Sequence, residues 1–103
     1  MNYANHYGYS DVNPYEVVGH VSEKTIEVRA MNAERDPEWS PEIIPGGFSG
    51  HCVNQQSQKW IIKSDPKGPI VRIRLRKNGR WYDKYGNEFG LSDRPVKHHD
   101  YNF

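Results

Sequence analysis

The sequence predicts a mainly β protein, a single small antiparallel β-barrel or β-sandwich with a long Pro/Gly-rich loop and little helix. Three observations lead there. Segments of alternating apolar and polar residues recur along the chain, turn signals separate them at short intervals, and the one helical candidate, around Met31 to Arg35, is cut short by Pro37. The 103 residues allow one core, since domains usually hold about 100 to 150 residues. That core is thin, because hydrophobic residues make up only 35% of the chain, helped by 3 Trp, 7 Tyr and 3 Phe. So small a core makes a homodimer a possible outcome.

Taken in order, residues 1–14 are rich in Asn, Tyr, Gly and Ser and sustain no period, so they are expected to form an N-terminal arm ahead of a β-rich domain over 15–103. Tyr15 to Val21 and Thr25 to Met31 alternate on either side of Ser22-Glu23-Lys24, the pattern of a hairpin. Asn32 to Gly50 holds Pro37, Pro41, Pro45, Gly46, Gly47 and Gly50, which argues for a long loop rather than a helix or a central strand. A loop of that length is either functional or plugged onto the core by Trp39, Ile43, Ile44 and Phe48.

His51 to Gln56 and Gln58 to Lys63 look extended, and Ser64 to Pro69 is a turn. Ile70 to Arg76 is the cleanest strand, with Val71, Ile73 and Leu75 facing one way and Arg72, Arg74 and Arg76 the other. Asn78-Gly79 predicts a tight type I′ hairpin onto Arg80 to Asp83, and Tyr85-Gly86-Asn87 the reversal into Glu88 to Leu91. A final extended stretch runs from Val96 to Phe103.

Charge is distributed unevenly. Residues 1–58 carry three Lys/Arg against eight Asp/Glu, whereas residues 59–84 carry nine against two, within a net charge of +1. Such asymmetry points to an anionic partner for the basic part. No apolar stretch approaches the ~20 residues of a membrane span, and Met1 to His6 lacks the basic and apolar regions of a signal peptide. A cytoplasmic protein with no membrane partner is the expectation, and the single Cys52 agrees with a reducing compartment.

Two constellations carry the candidate chemistry. Arg72, Arg74 and Arg76 project from one strand face about 6.5 to 7 Å apart, near the spacing of phosphates along a nucleic-acid strand. Lys77, Arg80 and Lys84 widen that patch, and Trp81, Tyr82 and Tyr85 offer flat surfaces for a base. The competing explanation makes the arginines the wet side of a sheet, paired with Glu27 or Glu16.

The second constellation is the glycine-rich run from Gly46 to Gln58, in which His51, Asn54, Gln55 and Gln58 offer uncharged donors and acceptors to a base or ribose edge. It has neither the ending of a phosphate-binding loop nor a dinucleotide fingerprint. Cys52 beside His51 is read as a structural thiol, because adjacent side chains on an extended segment point to opposite faces. Neither the Cys/His spacing, His98 and His99 included, nor the carboxylates of Glu34 to Glu42 form a compact metal or acid–base set, so no cofactor, metal or catalytic residue is assigned.

In three stretches the chain resembles small uncharacterised proteins of bacteriophages and other mobile elements: Asn5 to Asp11, Pro45 to His51 and Asp100 to Phe103. The resemblance implies an accessory protein made during infection or plasmid transfer, where short reading frames encode binders that block host components. The sequence therefore points first to a non-enzymatic module that binds a nucleic acid or nucleotide through the basic strand and glycine-rich loop. The alternative is an inhibitor that blocks a host defence protein, and a third reading is a small enzyme using His51 with Asn54 or Gln58 on a nucleotide-like substrate.

Overall fold

Eleven short strands and no α-helix make up the described residues: β1 (Tyr3–Tyr7), β2 (Val12–Asn13), β3 (Tyr15–Ser22), β4 (Thr25–Ala30), β5 (Asn32–Arg35), β6 (Ile43–Ile44), β7 (His51–Cys52), β8 (Trp60–Lys63), β9 (Ile70–Leu75), β10 (Trp81–Tyr82) and β11 (Glu88–Ser92). The computed structural model describes residues 2–8, 10–40 and 57–99, with the backbone alone of 43–44 and 51–52.

Six of these strands close an antiparallel barrel. Around it the order is β1, β3, β4, β9, β10 and β11, and β11 returns to pair with β1 through Tyr3↔Ser92 to Tyr7↔Glu88. Tyr3–Tyr7 and Val12–Asn13 are thus strands rather than parts of an arm: β1 is the stave that closes the barrel, with Ala4 and Asn5 both buried. Val12, Asn13 and Glu16 face β1 in one continuous register. Only Pro14, which has no N–H to donate, divides that strand into β2 and β3.

The interior is filled by Ala4, Ile26, Val28, Ile73 and Phe89, with Tyr15, Val17, Val71, Trp81 and Leu91 packed around them. Tyr15 meets Phe89 edge-on at 5.1 Å between ring centroids, a favoured aromatic geometry. Ile73 is fully buried, so truncating it to Ala would cost about 2–5 kcal/mol. Two register shifts in β3, between Val17 and Gly19 and between His20 and Ser22, break the simple alternation expected there and leave Val18 and Val21 exposed.

The meander β9–β10–β11 is built on one turn used twice. Gly79 N–H donates to Arg76 O and Arg76 N–H to Arg80 O; Gly86 N–H donates to Asp83 O and Asp83 N–H to Asn87 O. Gly79 and Gly86 have φ of 81° and 87°, and no non-glycine residue among the described residues has positive φ. The first turn is therefore not type I′, which would need Asn78 in the left-handed region too. Both are three-residue loops in which a glycine supplies the bulge.

The stretch expected as a loop begins as a strand. β5 pairs with β8 from Asn32↔Lys63 to Arg35↔Trp60, and β6 with β7 through Ile43↔Cys52 and Ile44↔His51. Both ladders keep the same register, so the barrel pair β4 and β9 leads out into a long ribbon. Met31 to Arg35 is accordingly extended rather than helical. The radius of gyration, 15.7 Å, exceeds the roughly 13 Å of a globular chain of this length, as a projecting ribbon requires. Trp39 is buried and its Nε1 donates to Ser57 Oγ at 3.3 Å, joining the two arms. The remainder of the expected loop core, Phe48 and the side chains of Ile43 and Ile44, lies outside the described residues.

Residues 94–99 form a strap over the outside of β1. Asn5 Nδ2 donates to Arg94 O, its Oδ1 accepts from Val96 N–H at 2.9 Å, and His98 exchanges two backbone hydrogen bonds with Val12. Of the expected final extended stretch, His98 forms an isolated antiparallel bridge with Val12, and residues 100–103 lie outside the described set.

Candidate functional site

β9 and the tyrosines beyond it border an open groove of about 630 Å³, lined by Ile70, Val71 and Leu75 as well as by Arg72, Arg74, Arg76, Tyr82, Lys84 and Tyr85. The strand alternation that buries Ile73 is what brings Arg72 and Arg74 to the outer wall, with Arg76 following just past the strand end. Arg72 Nη2 lies 3.5 Å from Glu27 Oε2, its neighbour across the ladder. Arg72 is exposed and Glu27 partly so, and the pair is worth at most about 1 kcal/mol. Arg76 places its guanidinium 4.8 Å from the centre of the Tyr82 ring, and Asn78 Nδ2 donates to Tyr82 Oη at 2.9 Å. Arg74, between them, is exposed and has no ion-pair partner among the described residues.

Part of the groove floor is backbone. Arg76 N–H bonds toward β10 and Leu75 N–H bonds to Lys24 O on the opposite side, so even-numbered residues of β9 direct their amides toward β10 and odd-numbered ones toward β4. The β10 ladder stops at Tyr82, opposite Arg74. Arg72 and Ile70 therefore present N–H and C=O groups along a strand edge that no described strand covers.

The far wall is the Asp83–Asn87 turn. Asp83 Oδ1 accepts the backbone N–H groups of Tyr85 and Asn87, both at 2.9 Å, and Oδ2 accepts Asn87 Nδ2 at 2.8 Å. Burial disfavours the charged carboxylate, but these hydrogen bonds and the field of His6 outweigh it and hold the Asp83 carboxyl below its ordinary pKa. The Tyr15 hydroxyl is pushed up, by burial first and by the Asp83 charge second. So braced, the turn holds up Tyr85, 79% exposed, with the Lys84 ammonium 5.1 Å from its ring centre.

The other expected ligand residues fare differently. Trp81 faces Leu75 and Phe89 and packs against the core, so it offers no stacking surface in the groove. Arg80 Nη1 pairs with Glu88 Oε1 at 3.3 Å and does not line the groove. Gln58 serves the architecture: its Oε1 accepts from Trp60 Nε1 and His99 N–H, and its Nε2 donates to His99 O. His51 pairs through its backbone with Ile44; its side chain, Asn54 and Gln55 lie outside the described residues. Glu16, the other carboxylate considered for the arginine row, is bonded to Arg29 at 3.2 Å instead. Among the described residues no three His, Cys, Asp or Glu side chains converge as metal ligands.

The open edge escaped the sequence reading, although a signal for it exists. Two glycine turns follow each other so closely that β10 has room for two residues beside the six of β9. The longer strand must then outrun its partner.

The fold and groove together define a class: a small closed antiparallel β-barrel with a basic, tyrosine-flanked groove on its outer wall. No family model matches the chain, and no curated protein or solved structure is found to be similar to it. No helix among the described residues is long and apolar enough to cross a membrane.

Proposed function

We propose that this protein is a non-enzymatic binding module that takes a nucleic acid or nucleotide in the groove beside β9. The observation that carries the reading is Arg74, an exposed guanidinium with no ion-pair partner among the described residues, flanked by Arg72 and Arg76 and facing Tyr82. Guanidinium groups suit phosphate because they offer planar paired donors, and tyrosine rings nearby suit a base. The likeness to bacteriophage and mobile-element proteins fits an accessory role in a bacterial cytoplasm.

Titration of a labelled oligonucleotide tests this, with affinity read by fluorescence anisotropy. Affinity should fall steeply between about 50 and 200 mM salt, as phosphate contacts require. Arg74→Glu should remove binding, while Arg80→Glu, outside the groove, should weaken it far less. Unchanged binding by Arg74→Glu would overturn the reading.

A second reading, blockade of a host protein, is favoured by one observation, the edge of β9 at Ile70 and Arg72 that no described strand covers. Such an edge can accept an extended peptide as an added strand, and the arginines would favour an acidic one.

A further inference from the structure

We infer that the ligand of this groove is a single-stranded nucleic acid, engaged through an unstacked base as well as through its phosphates. The inference rests on the nucleic-acid reading above and narrows it. Three features converge on it. Tyr85 projects from the turn with 79% of its surface exposed, which leaves the apolar faces of its ring open to stacking. The turn that carries it is held by three hydrogen bonds to Asp83, so the ring is presented by a braced support. Finally, the groove floor offers N–H and C=O groups of Ile70 and Arg72 with no described strand beside them.

A duplex uses little of this. Its bases are stacked on each other and already paired, so it can satisfy the arginines but not the ring or the edge. A single strand lays phosphates against Arg72 and Arg74, stacks a base on Tyr85, and turns a base edge or sugar hydroxyl to the β9 amides. Lys84, above the Tyr85 ring, would swing out to a phosphate when a base displaces it. A mononucleotide meets only part of the arrangement. An acidic peptide could use the edge and the arginines, but it leaves Tyr85 without a role.

The test is anisotropy titration of the intact chain with a twelve-nucleotide single strand of thymidine or uridine, a duplex of equal length, a nucleoside monophosphate, and a poly-glutamate peptide. Wild type, Tyr85→Ala and Arg74→Glu are compared, with thermal unfolding confirming that each variant is folded. The single strand should bind at least tenfold more tightly than the duplex or the monophosphate. Tyr85→Ala should weaken it by roughly 5- to 100-fold, the range of one lost stacking contact, with little change in the salt dependence. Arg74→Glu should abolish binding.

Equal affinity for duplex and single strand, or an unaffected Tyr85→Ala, overturns this inference and leaves the broader nucleic-acid reading standing. Binding of poly-glutamate alone overturns both in favour of a protein partner. Absence of binding to every probe also overturns both.

Discussion

The ring of Tyr7 lies across the backbone of Gly90 on the neighbouring strand. A β-carbon at position 90 would come within 2.7 Å of Tyr7 Cε2 and Oη, so the ring occupies the space a side chain would take. Aromatic cover of a strand glycine protects a ladder that would otherwise stand open to water. This ladder is the one that closes the barrel.

Gly90→Ala should therefore displace Tyr7 outward and lower stability by about 1 kcal/mol, the low end for overpacking because the ring tip is exposed and able to move. In a Tyr7→Ala background the same change should cost measurably less. Urea unfolding of the four proteins of this cycle measures the coupling; additive effects would mean that the contact contributes nothing.

Asp83 sets the acid limb of stability. Its carboxyl is held below its ordinary pKa by the hydrogen bonds of the turn, so its contribution is complete above the unfolded value of about 3.9. It is lost as the pH falls through the lower folded value. Urea midpoints measured from pH 6 to pH 2.5 should fall less steeply for Asp83→Asn than for wild type. At neutral pH that variant should be weaker by about 1–3 kcal/mol, because its amide cannot accept all three bonds. The raised Tyr15 acts at the other end: it stabilises below about pH 10 and its contribution is lost as the pH rises through its folded value.

Glu27 competes with any anion for Arg72, which it meets at 3.5 Å. Replacing it by Gln frees that guanidinium and removes a negative charge from the groove margin. Oligonucleotide affinity should rise by about two- to fivefold at low salt, as a change of up to 1 kcal/mol allows, while the melting temperature stays nearly constant. A loss of affinity would show that Glu27 positions Arg72 for the ligand instead.

Gly79 and Gly86 both adopt positive φ, and a β-carbon at either would meet nothing within 4 Å. The cost of Gly79→Ala or Gly86→Ala is thus purely that of the backbone, about 1–2 kcal/mol each. Gly86→Ala should also weaken nucleic-acid binding, since its turn carries Lys84 and Tyr85. Gly79→Ala, whose turn carries Arg76 and the Asn78 that bonds Tyr82, should weaken binding less than Gly86→Ala, a contrast that calorimetry and anisotropy resolve.

Much of the barrel was legible in the sequence because burial on one face imposes alternation. β4, β9 and the first part of β3 show it, and the glycine turns of the meander punctuate it. β1 was not legible, since its inward positions are Ala4 and His6 and its outward Asn5 is buried under the strap; small and polar side chains fit this crowded wall but leave no hydrophobic pattern. β5 escaped for another reason. Asn32-Ala33-Glu34-Arg35 has little strand preference, and its conformation follows from its pairing with β8, from Asn32↔Lys63 to Arg35↔Trp60.

In the site, the arginine row was legible and its best-placed tyrosine less so. Trp81 and Tyr82 are adjacent aromatics, and only the pairing of Tyr82 with Arg74 decides which faces outward. The unpaired edge depends on relative strand lengths, a property of two segments together rather than of either alone.

The seam between β1 and β11 has a kinetic consequence. It joins distant parts of the chain, as the pairing of Tyr3 with Ser92 illustrates. The entropy of bringing such segments together must be met before their contacts form, which puts assembly in the slow, millisecond-to-second regime of topologies dominated by remote pairing. Until that seam zips, β1 and β11 each lack a neighbour, and a nascent or truncated polypeptide stopping short of Glu88 would display sticky margins to other chains. Such fragments should aggregate more readily than the closed barrel, whose seam covers both margins.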